Sequence, residues 1–349
     1  MVYPKVSIIW LNYNSSKIIS LVLRSLESIV ELDYPRDRYE LIIIDNGSTD
    51  GSFEKIRSYI ERREGVKKKI IRLKHNLGFT GGINIGFKAR DKDSKYVAIV
   101  NNDCIMFNES LRVYIDVLES FSELGALQGV ILRLNESGID SSGLYLTDIM
   151  MPVPFYEHVL DLYRDRVVIC SAVEGTCPIF RINALSKAFA SEKIFEESFY
   201  GFGEDIFTSI RLWRAGYKIA FISRPVAKHK RGATWRSSEA LYYSARNFLA
   251  MTKMFSGVRK QFIRTLTFLR GSYNNPKAIN LLFKAYIDSD KLMKKLLDKY
   301  GRQKLSEEMP LIKISPMKEF STILLRRTLV SYVNQIISKN INRFTIARI

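Results

Sequence analysis

The most informative chemical group in this sequence is an acidic residue placed directly after a buried strand. Leu41–Ile44 is a short β-branched run typical of a strand buried on both faces, and it ends at Asp45. The residues that follow favour a sharp turn and an N-cap for the next helix. Open α/β sheets bind ligands at the carboxyl ends of their strands, so this pattern predicts that Asp45 is exposed in a cleft. The alternative is that Asp45 only caps the turn.

Two further segments carry polar side chains where an apolar run ends. The run VSIIWLNYN contains Asn12, and the run VAIVNNDC leads into Asn101, Asn102 and Asp103. A carboxylate beside amide side chains suits a hard divalent cation that keeps some waters and leans on substrate phosphates. Alternatively, Asp103 caps the loop that follows its strand.

A glycine-rich segment, HNLGFTGGINIGF, follows the third strand-like run and contains Gly78, Gly81 and Gly82. Glycines let a backbone approach a ligand closely and leave amides free to face an anion at a helix start. The spacing matches neither a GxGxxG motif after the first strand nor a Walker A loop. A flexible beginning of a helix explains the segment equally well.

Residues 194–234 hold the last group of candidate side chains. Glu204 and Asp205 open a predicted helix, where they could be ordinary capping residues or supply the carboxylate that a general base requires. His229 follows an apolar, strand-like run. It could be a buried structural histidine or a neutral nitrogen ligand for the metal that Asp103 would hold.

Strand-like and helix-like runs alternate through the first two hundred or so residues. The predicted strands are Val6–Leu11, Leu41–Ile44, Lys69–Leu73 and Tyr96–Val100, and the predicted helices are Lys17–Glu31, Ser52–Arg63 and Gly82–Arg90. This alternation favours βαβ units and a mostly parallel sheet. Residues 122–181 break the alternation, and we expect them to form a less regular, substrate-facing insertion. A helix at Ile206–Ala215 and a strand at Lys218–Ile222 are predicted after it.

The composition indicates a folded protein of a reducing compartment. The chain has 349 residues, of which 46% are hydrophobic, enough for a sizeable core. Its three cysteines form no CxxC pair, which argues against a disulfide framework or a zinc knuckle. Neither a secretory signal nor an apolar run of membrane-spanning length is recognisable, so we expect a cytoplasmic protein that is soluble or peripheral on a membrane.

The positive charge is concentrated in the last third of the chain. Residues 236–349 hold 22 Lys and Arg against 7 Asp and Glu, and so carry +15 of the net charge of +18. This region is predicted to be mainly helical, with several amphipathic stretches that pack on the first domain, lie on a membrane surface, or do both. An asymmetry of this size favours an anionic partner such as lipid headgroups, lipid-linked phosphates or nucleic acid.

The motifs, taken in order, resemble those of family 2 glycosyltransferases. The matching segments are VSIIWLNYN, IIIDNGSTDGS, NLGFTGGINIGF, VNNDC, EGTCPIFRINAL, FYGFGEDIFTSIRLWRAGYKI and AKHKRGAT, within about residues 4–250, and they look most like the rhamnosyltransferase-like, cell-surface glycan branch. The resemblance implies an α/β GT-A fold, a mixed Rossmann-like sheet, in residues 1–235, followed by a basic, mainly helical region in residues 236–349. It further implies an inverting transferase that moves a sugar from a nucleotide-diphosphate donor to a glycan or polyprenyl-linked hydroxyl.

The resemblance also assigns roles to individual residues. It implies that Asp45 hydrogen-bonds the nucleotide base, that Asp103 and His229 bind a divalent Mg²⁺ or Mn²⁺ ion, and that Asp205 is the catalytic base. Glu204 would orient Asp205 or bind the acceptor. The further donor-binding residues implied are Asn12, Gly78, Gly81, Gly82, Asn102 and Glu174.

One position departs from the family pattern. Asn101 stands where a fuller DxD motif has its first Asp. One fewer negative charge should weaken cation binding. The motif therefore does not predict strict dependence on the metal.

Two other functions compete with this interpretation. The chain could be an anionic-lipid or nucleic-acid binding protein that uses its basic helices, with the α/β domain as a scaffold. It could also be a nucleotidyltransferase, but residues 10–20 lack the basic, glycine-rich loop that such chemistry needs. The transferase interpretation predicts attachment to the inner face of the cell membrane through the basic helices and no nucleic-acid partner.

Overall fold

The computed structural model describes residues 3–134, 138–156, 165–230, 237–271, 276–302, 304–314 and 326–349. The chain alternates strands and helices at first, adds strands in its middle part, and is mainly helical towards its end. The strands are β1 (Val6–Asn12), β2 (Tyr39–Asp45), β3 (Lys67–Arg72), β4 (Tyr96–Asn101), β5 (Cys104–Met106), β6 (Leu124–Arg133), β7 (Ile139–Ser141), β8 (Leu144–Thr147), β9 (Pro152–Pro154), β10 (Arg166–Ile169), β11 (Ile179–Arg181), β12 (Lys218–His229), β13 (Leu311–Ile312) and β14 (Thr345–Arg348).

The helices flank the sheet or follow it. They are α1 (Ile19–Val30), α2 (Ser52–Glu61), α3 (Gly78–Lys88), α4 (Ser110–Ser120), α5 (Ile182–Phe189), α6 (Glu204–Arg214), α7 (Ser237–Ser256), α8 (Val258–Gly271), α9 (Pro276–Tyr300) and α10 (Arg326–Phe344). The predicted βαβ alternation is therefore confirmed for the first hundred residues, with strand and helix ends shifted by a few residues. The largest shift is at α3, which begins at Gly78 rather than at Gly82.

The main sheet has the strand order β14-β10-β12-β6-β11-β4-β1-β2-β3 among the described residues, with β5 and β7 paired at its side. Strands β4, β1, β2 and β3 are parallel. In this register Asn12 lies beside Asp45, and Leu11 lies beside Asn101. The polar residues that end three strands therefore meet at one edge of the sheet, as parallel pairing requires.

The expectation of an irregular insertion at residues 122–181 is wrong. Strand β6 lies in the centre of the main sheet and is buried over most of its ten residues, and β11 fills the gap between β6 and β4. Strand β11 is antiparallel to both neighbours, and such mixed pairing has no βαβ pattern to reveal it. Strand β12 is likewise longer than predicted, because it continues past Pro225 and ends at His229.

The C-terminal region packs on the first domain and completes its sheet. Strand β14 pairs with β10 at the sheet edge. Apolar side chains of α9 and α10, including Leu296, Val333 and Ile337, are buried in the same hydrophobic core as the sheet. No helix within the described residues is both long and apolar enough to cross a membrane.

Candidate active site

The ends of β1 and β2 form a corner of buried polar groups. Asn12 is fully buried, and its Nδ2 donates to Asp45 Oδ1 at 2.9 Å and to Ser48 Oγ at 3.1 Å. The backbone N–H of Ser48 donates to Asp45 Oδ2 at 3.1 Å, which closes the turn. Asn102 Nδ2 in turn donates to Asn12 Oδ1 at 3.3 Å. This network links the end of β2 to the end of β4 across β1.

The prediction that Asp45 is exposed is wrong. Its side chain is 1% exposed, because both carboxylate oxygens are occupied by the turn and by Asn12. The Nε of Arg72, a residue at the end of β3, lies 3.6 Å from Asp45 Oδ2. A pocket of about 360 Å³ adjoins this corner and is lined by Gly47, Ser48, Thr49, Arg72, Leu73 and Lys74. The turn that Asp45 organises, rather than its carboxylate, is the part that faces solvent.

The glycines of the third motif lie inside α3 and at its start. Gly78 has φ +74°, and a Cβ at this position would lie 2.5 Å from the carbonyl oxygen of Tyr200. A Cβ on Gly82 would lie 2.2 Å from Leu11 Cδ1. Close packing of α3 on β1 therefore accounts for Gly82 without any ligand. The side chain of Asn46 fixes the start of the helix by accepting from Leu77 N at 3.0 Å and donating to Gly78 O at 3.0 Å.

Asp103 and His229 lie together, as their predicted roles require. His229 ends β12, its Nε2 lies 3.1 Å from Asp103 Oδ1, and its Nδ1 lies 2.8 Å from Asp140 Oδ2. All three side chains are less than a tenth exposed. Burial lowers the pKa of His229, but its hydrogen bonds to Asp103 and Asp140 outweigh this effect and raise the pKa to about 9.

This arrangement fits a divalent cation in its donor chemistry. A metal-binding histidine usually has its second ring nitrogen held by a carboxylate, and Asp140 holds His229 in this way. The nitrogen left for the metal faces Asp103, which would be the oxygen donor. Within the described residues no group of three or more His, Cys, Asp or Glu forms a complete ligand set. The remaining ligands would have to come from water or substrate, as is usual for Mg²⁺.

Asp205 and Glu204 lie close to the end of β4. The backbone N–H of Gly175 donates to Asp205 Oδ2 at 2.9 Å, and Asn101 N donates to the neighbouring Thr176 O at 3.0 Å. A Cβ built on Gly175 would lie 3.8 Å from Glu204 Oε1 and 3.7 Å from Asp205 Oδ2. The two carboxylates at the start of α6 thus face the segment that carries Glu174.

The surroundings shift both carboxylates towards the protonated form. Removal from water and repulsion from Glu174 raise the pKa of Asp205 to about 6, against the lowering effect of backbone hydrogen bonds from Ile206 and Gly175. Burial and repulsion from Asp205 raise the pKa of Glu204 well above its ordinary value. Glu204 Oε2 is buried and has no hydrogen-bond partner among the described residues. Asp205, which is partly exposed, is therefore the carboxylate better suited to accept a proton from a bound molecule.

The loop before α6 has an unusual backbone that a distant helix holds in place. Tyr200 and Phe202 both have φ +65°, a strained value for aromatic residues, and Gly203 has φ +84°. Asn247 of α7 is fully buried, and its Nδ2 lies within hydrogen-bonding distance of the carbonyl oxygens of Phe199 (3.1 Å), Gly201 (2.7 Å) and Phe202 (2.7 Å). The helix that follows the sheet thereby fixes the loop that carries the acid pair.

Three residues of the site were not found from the sequence. Asp140, on the short strand β7, holds His229, and Gln128 Oε1 accepts from Glu174 N at 2.6 Å. Asn247 lies in the stretch YYSARNFLAMTKMF, which resembles a helix of the family, yet nothing in its spacing signals a contact with residues near 200. Of the predicted residues, Asn12, Asp45 and Asn102 share one hydrogen-bond network, Asp103 contacts His229, and Asp205 contacts the residue after Glu174.

The fold is that of GT-A glycosyltransferases. The chain is similar to the crystal structure of GalNAc-T7 with UDP, GalNAc and Mn²⁺, with a TM-score of 0.59 and 15% identity over 85% of this chain and 55% of that one. It is also similar to the crystal structure of S. aureus TarS 1-349 in complex with UDP-GlcNAc, with a TM-score of 0.53 and 18% identity over 84% of this chain and 83% of that one. The predicted fold class is thus confirmed.

The sequence comparisons define the family. Residues 7–160 match the family described as Glycosyl transferase family 2. An uncharacterized glycosyltransferase of Haemophilus influenzae is 29% identical over 209 residues, which cover 58% of each chain. The chain spans less than two thirds of the length of this curated relative. The family prediction is confirmed, whereas its narrower rhamnosyltransferase-like branch stays a prediction.

Proposed function

We propose that the protein transfers a sugar from a nucleotide-diphosphate donor to an acceptor hydroxyl, with inversion at the anomeric carbon. One observation carries the proposal: Gly175 N binds Asp205, whose pKa is raised, and the next residue, Thr176, accepts from Asn101, two residues before the Asp103 that contacts His229. A general base next to a site for a diphosphate is what such a transfer needs. Residues 1–235 would form the catalytic domain and residues 236–349 its basic, helical extension.

The donor would lie along the carboxyl edge of β1, β2 and β4. The pocket beside the Asp45 turn would take the nucleotide base, and Asn12 and Asn102 would order the residues around it. Gly78 and Gly81, at the start of α3, would let the backbone approach the diphosphate or the sugar. Relatives of the same fold whose structures hold UDP, or UDP-GlcNAc, support a donor of this class.

Without a cation, the acidic side chains of the site would repel the diphosphate of the donor. Asp103, Asp140, Glu174, Glu204 and Asp205 are gathered within it. Asp103 and His229 would hold a divalent ion, which when bound would offset the charge of the leaving diphosphate. The Mn²⁺ in the GalNAc-T7 structure supports this class of cofactor.

Asp205 would act on the acceptor. Its carboxylate would take the proton of the acceptor hydroxyl while the hydroxyl oxygen forms a bond to the anomeric carbon. The bond from that carbon to the diphosphate oxygen breaks on the opposite face, and the electron pair leaves with the nucleoside diphosphate. Burial and repulsion from Glu174 keep the pKa of Asp205 at about 6, high enough for proton transfer near neutral pH.

The acceptor would be a glycan or a polyprenyl-linked sugar met at the inner face of the membrane. The support for this part is the charge of residues 236–349, which carry +15. The competing function, an anionic-lipid or nucleic-acid binding protein on a GT-A scaffold, rests on the same charge but leaves the acid cluster without a purpose.

Thermal unfolding with and without ligands separates these functions. We expect nucleoside diphosphates with Mn²⁺ to raise the Tm of the wild-type protein, by an amount that grows with ligand concentration. Asp103→Asn should lose this increase, whereas Asp116→Asn, a change on α4 outside the acid cluster, should keep it. Stabilisation by DNA, RNA or acidic lipid only, with none from any nucleoside diphosphate, would contradict the proposal and favour the binding protein.

A further inference from the structure

The outer face of α8 and α9 exposes an unusual number of apolar side chains. Of the nine large hydrophobic residues that are exposed within the described part of the chain, six lie on these two helices. Phe283 is 68% exposed and Phe262 is 62% exposed, the two highest values. The set on the two helices comprises Phe262, Leu269, Ile279, Phe283, Tyr286 and Ile287, which we call the α8–α9 face.

This face is distinct from the side of α9 that packs on the protein. On α9 the residues buried against the rest of the chain include Leu282, Ala285 and Leu292, which recur at helical spacing. Ile279, Phe283 and Ile287 recur every four residues on the opposite side. The helix is therefore apolar on two faces, of which the described part of the chain covers only one.

The two helices that carry these residues contact each other. Gln261 Nε2 of α8 donates to Ser289 Oγ of α9 at 3.5 Å, and both residues are buried. Phe262 directly follows Gln261 in the chain and is exposed. Six exposed apolar side chains on two contacting helices are more than the single scattered residues that are normal on a protein surface.

The charge around the face is strongly positive. Residues 258–300 hold ten Lys and Arg against three Asp and Glu. Lys284 adjoins Phe283 in the chain, and Lys294 and Lys295 are exposed on the last turns of the same helix. Two of the three acids, Asp288 and Asp290, form ion pairs within the protein, with Lys291 and Lys253 respectively.

We propose that the α8–α9 face inserts into the surface of an anionic lipid bilayer. Apolar side chains on an amphipathic helix, flanked by lysines, are the pattern of helices that lie in the headgroup region. A second copy of the chain would bring two positive surfaces together, which repulsion opposes, whereas anionic headgroups complement them. The inference rests on the proposed function in one respect, that a lipid-linked acceptor would be met at this surface.

Vesicle flotation tests this surface. We expect the wild-type protein to float with vesicles of phosphatidylglycerol and phosphatidylcholine at low salt, and much less with phosphatidylcholine alone. Phe262→Ser combined with Phe283→Ser should weaken partitioning by about tenfold or more, since each ring would otherwise leave water on insertion. Lys294→Gln combined with Lys295→Gln should weaken it by roughly fivefold per lysine on anionic vesicles only.

A matched control is available outside the two helices. Ile349 is an exposed large hydrophobic residue at the end of β14, and Ile349→Ser should float like the wild type. Because Phe262 and Phe283 are exposed, their replacement should leave Tm unchanged, which excludes unfolding as the cause of lost flotation. Wild-type protein that stays with the bottom fraction, or a phenylalanine variant that floats normally, would overturn the inference.

Two further readouts separate this inference from its alternatives. Size-exclusion chromatography shows whether the face binds a second copy of the chain. A wild-type dimer that the phenylalanine variant abolishes, with no flotation of the wild type, would overturn the bilayer proposal. Hydrolysis of nucleotide sugars, measured without vesicles on the same samples, should not respond to Phe262→Ser and Phe283→Ser. Flotation without any nucleotide-sugar activity would refute the proposed function and leave the lipid-binding face standing.

Discussion

At the scale of single residues, the site is defined by carboxylates that the fold forces together. Glu204 and Asp205 lie beside Gly175; burial and repulsion from Glu174 raise the pKa of Asp205, and burial and repulsion from Asp205 raise that of Glu204. Such crowding opposes folding, because like charges and lost hydration both raise the free energy of the native state. Carboxylates that a fold holds together despite charge repulsion and lost hydration are typical of catalytic sites.

The raised pKa of Asp205 gives opposite effects on stability and activity. Because folding raises the pKa from 3.8 to about 6, the ionised carboxylate destabilises the native state above pH 6, and less as the pH falls towards 3.8. Asp205→Asn should therefore raise Tm at pH 8 while lowering turnover by ~100-fold or more, with donor binding kept. Differential scanning fluorimetry at pH 8 and pH 5, beside a transfer assay, checks both effects.

The same carboxylate should shape the pH dependence of the reaction. A base must be ionised to accept a proton, so kcat/KM should fall as the pH drops below about 6. The apparent pKa of this limb belongs to the coupled acid cluster rather than to Asp205 alone. A rate that stays constant from pH 7 to pH 5 would remove Asp205 from the proton transfer.

Asp45 can be tested as a base-binding residue against its role in the turn. Asp45→Ala removes the acceptor of Ser48 N and one of the acceptors of Asn12 Nδ2, which should destabilise the fold by about 1–3 kcal/mol. We further expect the donor KM to rise more than turnover falls, because the adjoining pocket loses its shape. Steady-state kinetics with varied donor concentration measure both the donor KM and the turnover.

A matched control for Asp45 lies five residues further on. Asp50 also accepts backbone hydrogen bonds, from Ser16 N at 2.7 Å and Ser52 N at 3.0 Å, but it does not line the pocket beside Asp45. Asp50→Ala should lower stability and leave the donor KM unchanged. Equal KM values for both variants and the wild type would show that Asp45 is only a turn residue.

At the scale of elements, the site depends on contacts between segments that are distant in the chain. The strained loop Tyr200–Gly203 directly precedes the acid pair. The side chain of Asn247 on α7 binds the carbonyl groups of Gly201 and Phe202 in this loop and of Phe199 just before it. Arg246 Nη2 adds hydrogen bonds to Ser198 O at 2.8 Å and Phe199 O at 2.9 Å. Helix α7 therefore supports the loop that precedes the acid pair.

Asn247→Ala should release this loop. We expect turnover to fall by roughly 10- to 100-fold, because small displacements of a base reduce rates steeply, with little change in the donor KM. Asn334→Ala on α10 is the control, since Asn334 is also buried and also binds a backbone carbonyl, that of Pro154 at the end of β9, at 3.2 Å. Equal turnover of the two variants would contradict a positioning role for Asn247.

The parallel strands β1 to β4 could be predicted from the sequence, whereas the antiparallel strand β11 could not. Strands β1, β2 and β4 are continuous apolar runs that end in polar residues, so their pattern identifies both the strand and the site edge. Strand β11 is only three residues long and pairs antiparallel on both sides, which leaves no periodicity to detect. Burial of Asp45 was also unpredictable, because it depends on Asn12 and Ser48 folding over it.

At the scale of the whole molecule, the two regions share one core although their charge differs sharply. Strand β14 extends the main sheet, and Ile337 and Ile341 of α10 are buried with the apolar side chains of the sheet. The amphipathic helices predicted for this region do pack on the first domain, while α8 and α9 also leave an apolar face exposed. Charge patterning indicated a basic region but could not show which of its faces is buried.

The shared core predicts that residues 1–235 alone are not stable. Ile337→Ala should lower the free energy of unfolding by about 2–5 kcal/mol, whereas Gln335→Ala, at an exposed position of the same helix, should change it by less than about 0.5 kcal/mol. Urea unfolding of the full chain measures both. A fragment of residues 1–235 that unfolds cooperatively with the stability of the full chain would contradict the shared core.

The central claim is that the gathered carboxylates serve transfer from a nucleotide sugar. Incubation of the purified protein with a panel of nucleotide sugars and Mn²⁺, without acceptor, tests this most directly, with release of the nucleoside diphosphate as the readout. The account predicts that the wild type hydrolyses at least one member of the panel slowly and that Asp205→Asn does so about 100-fold more slowly. If no member is hydrolysed, or if Asp205→Asn matches the wild type, the carboxylates serve another purpose.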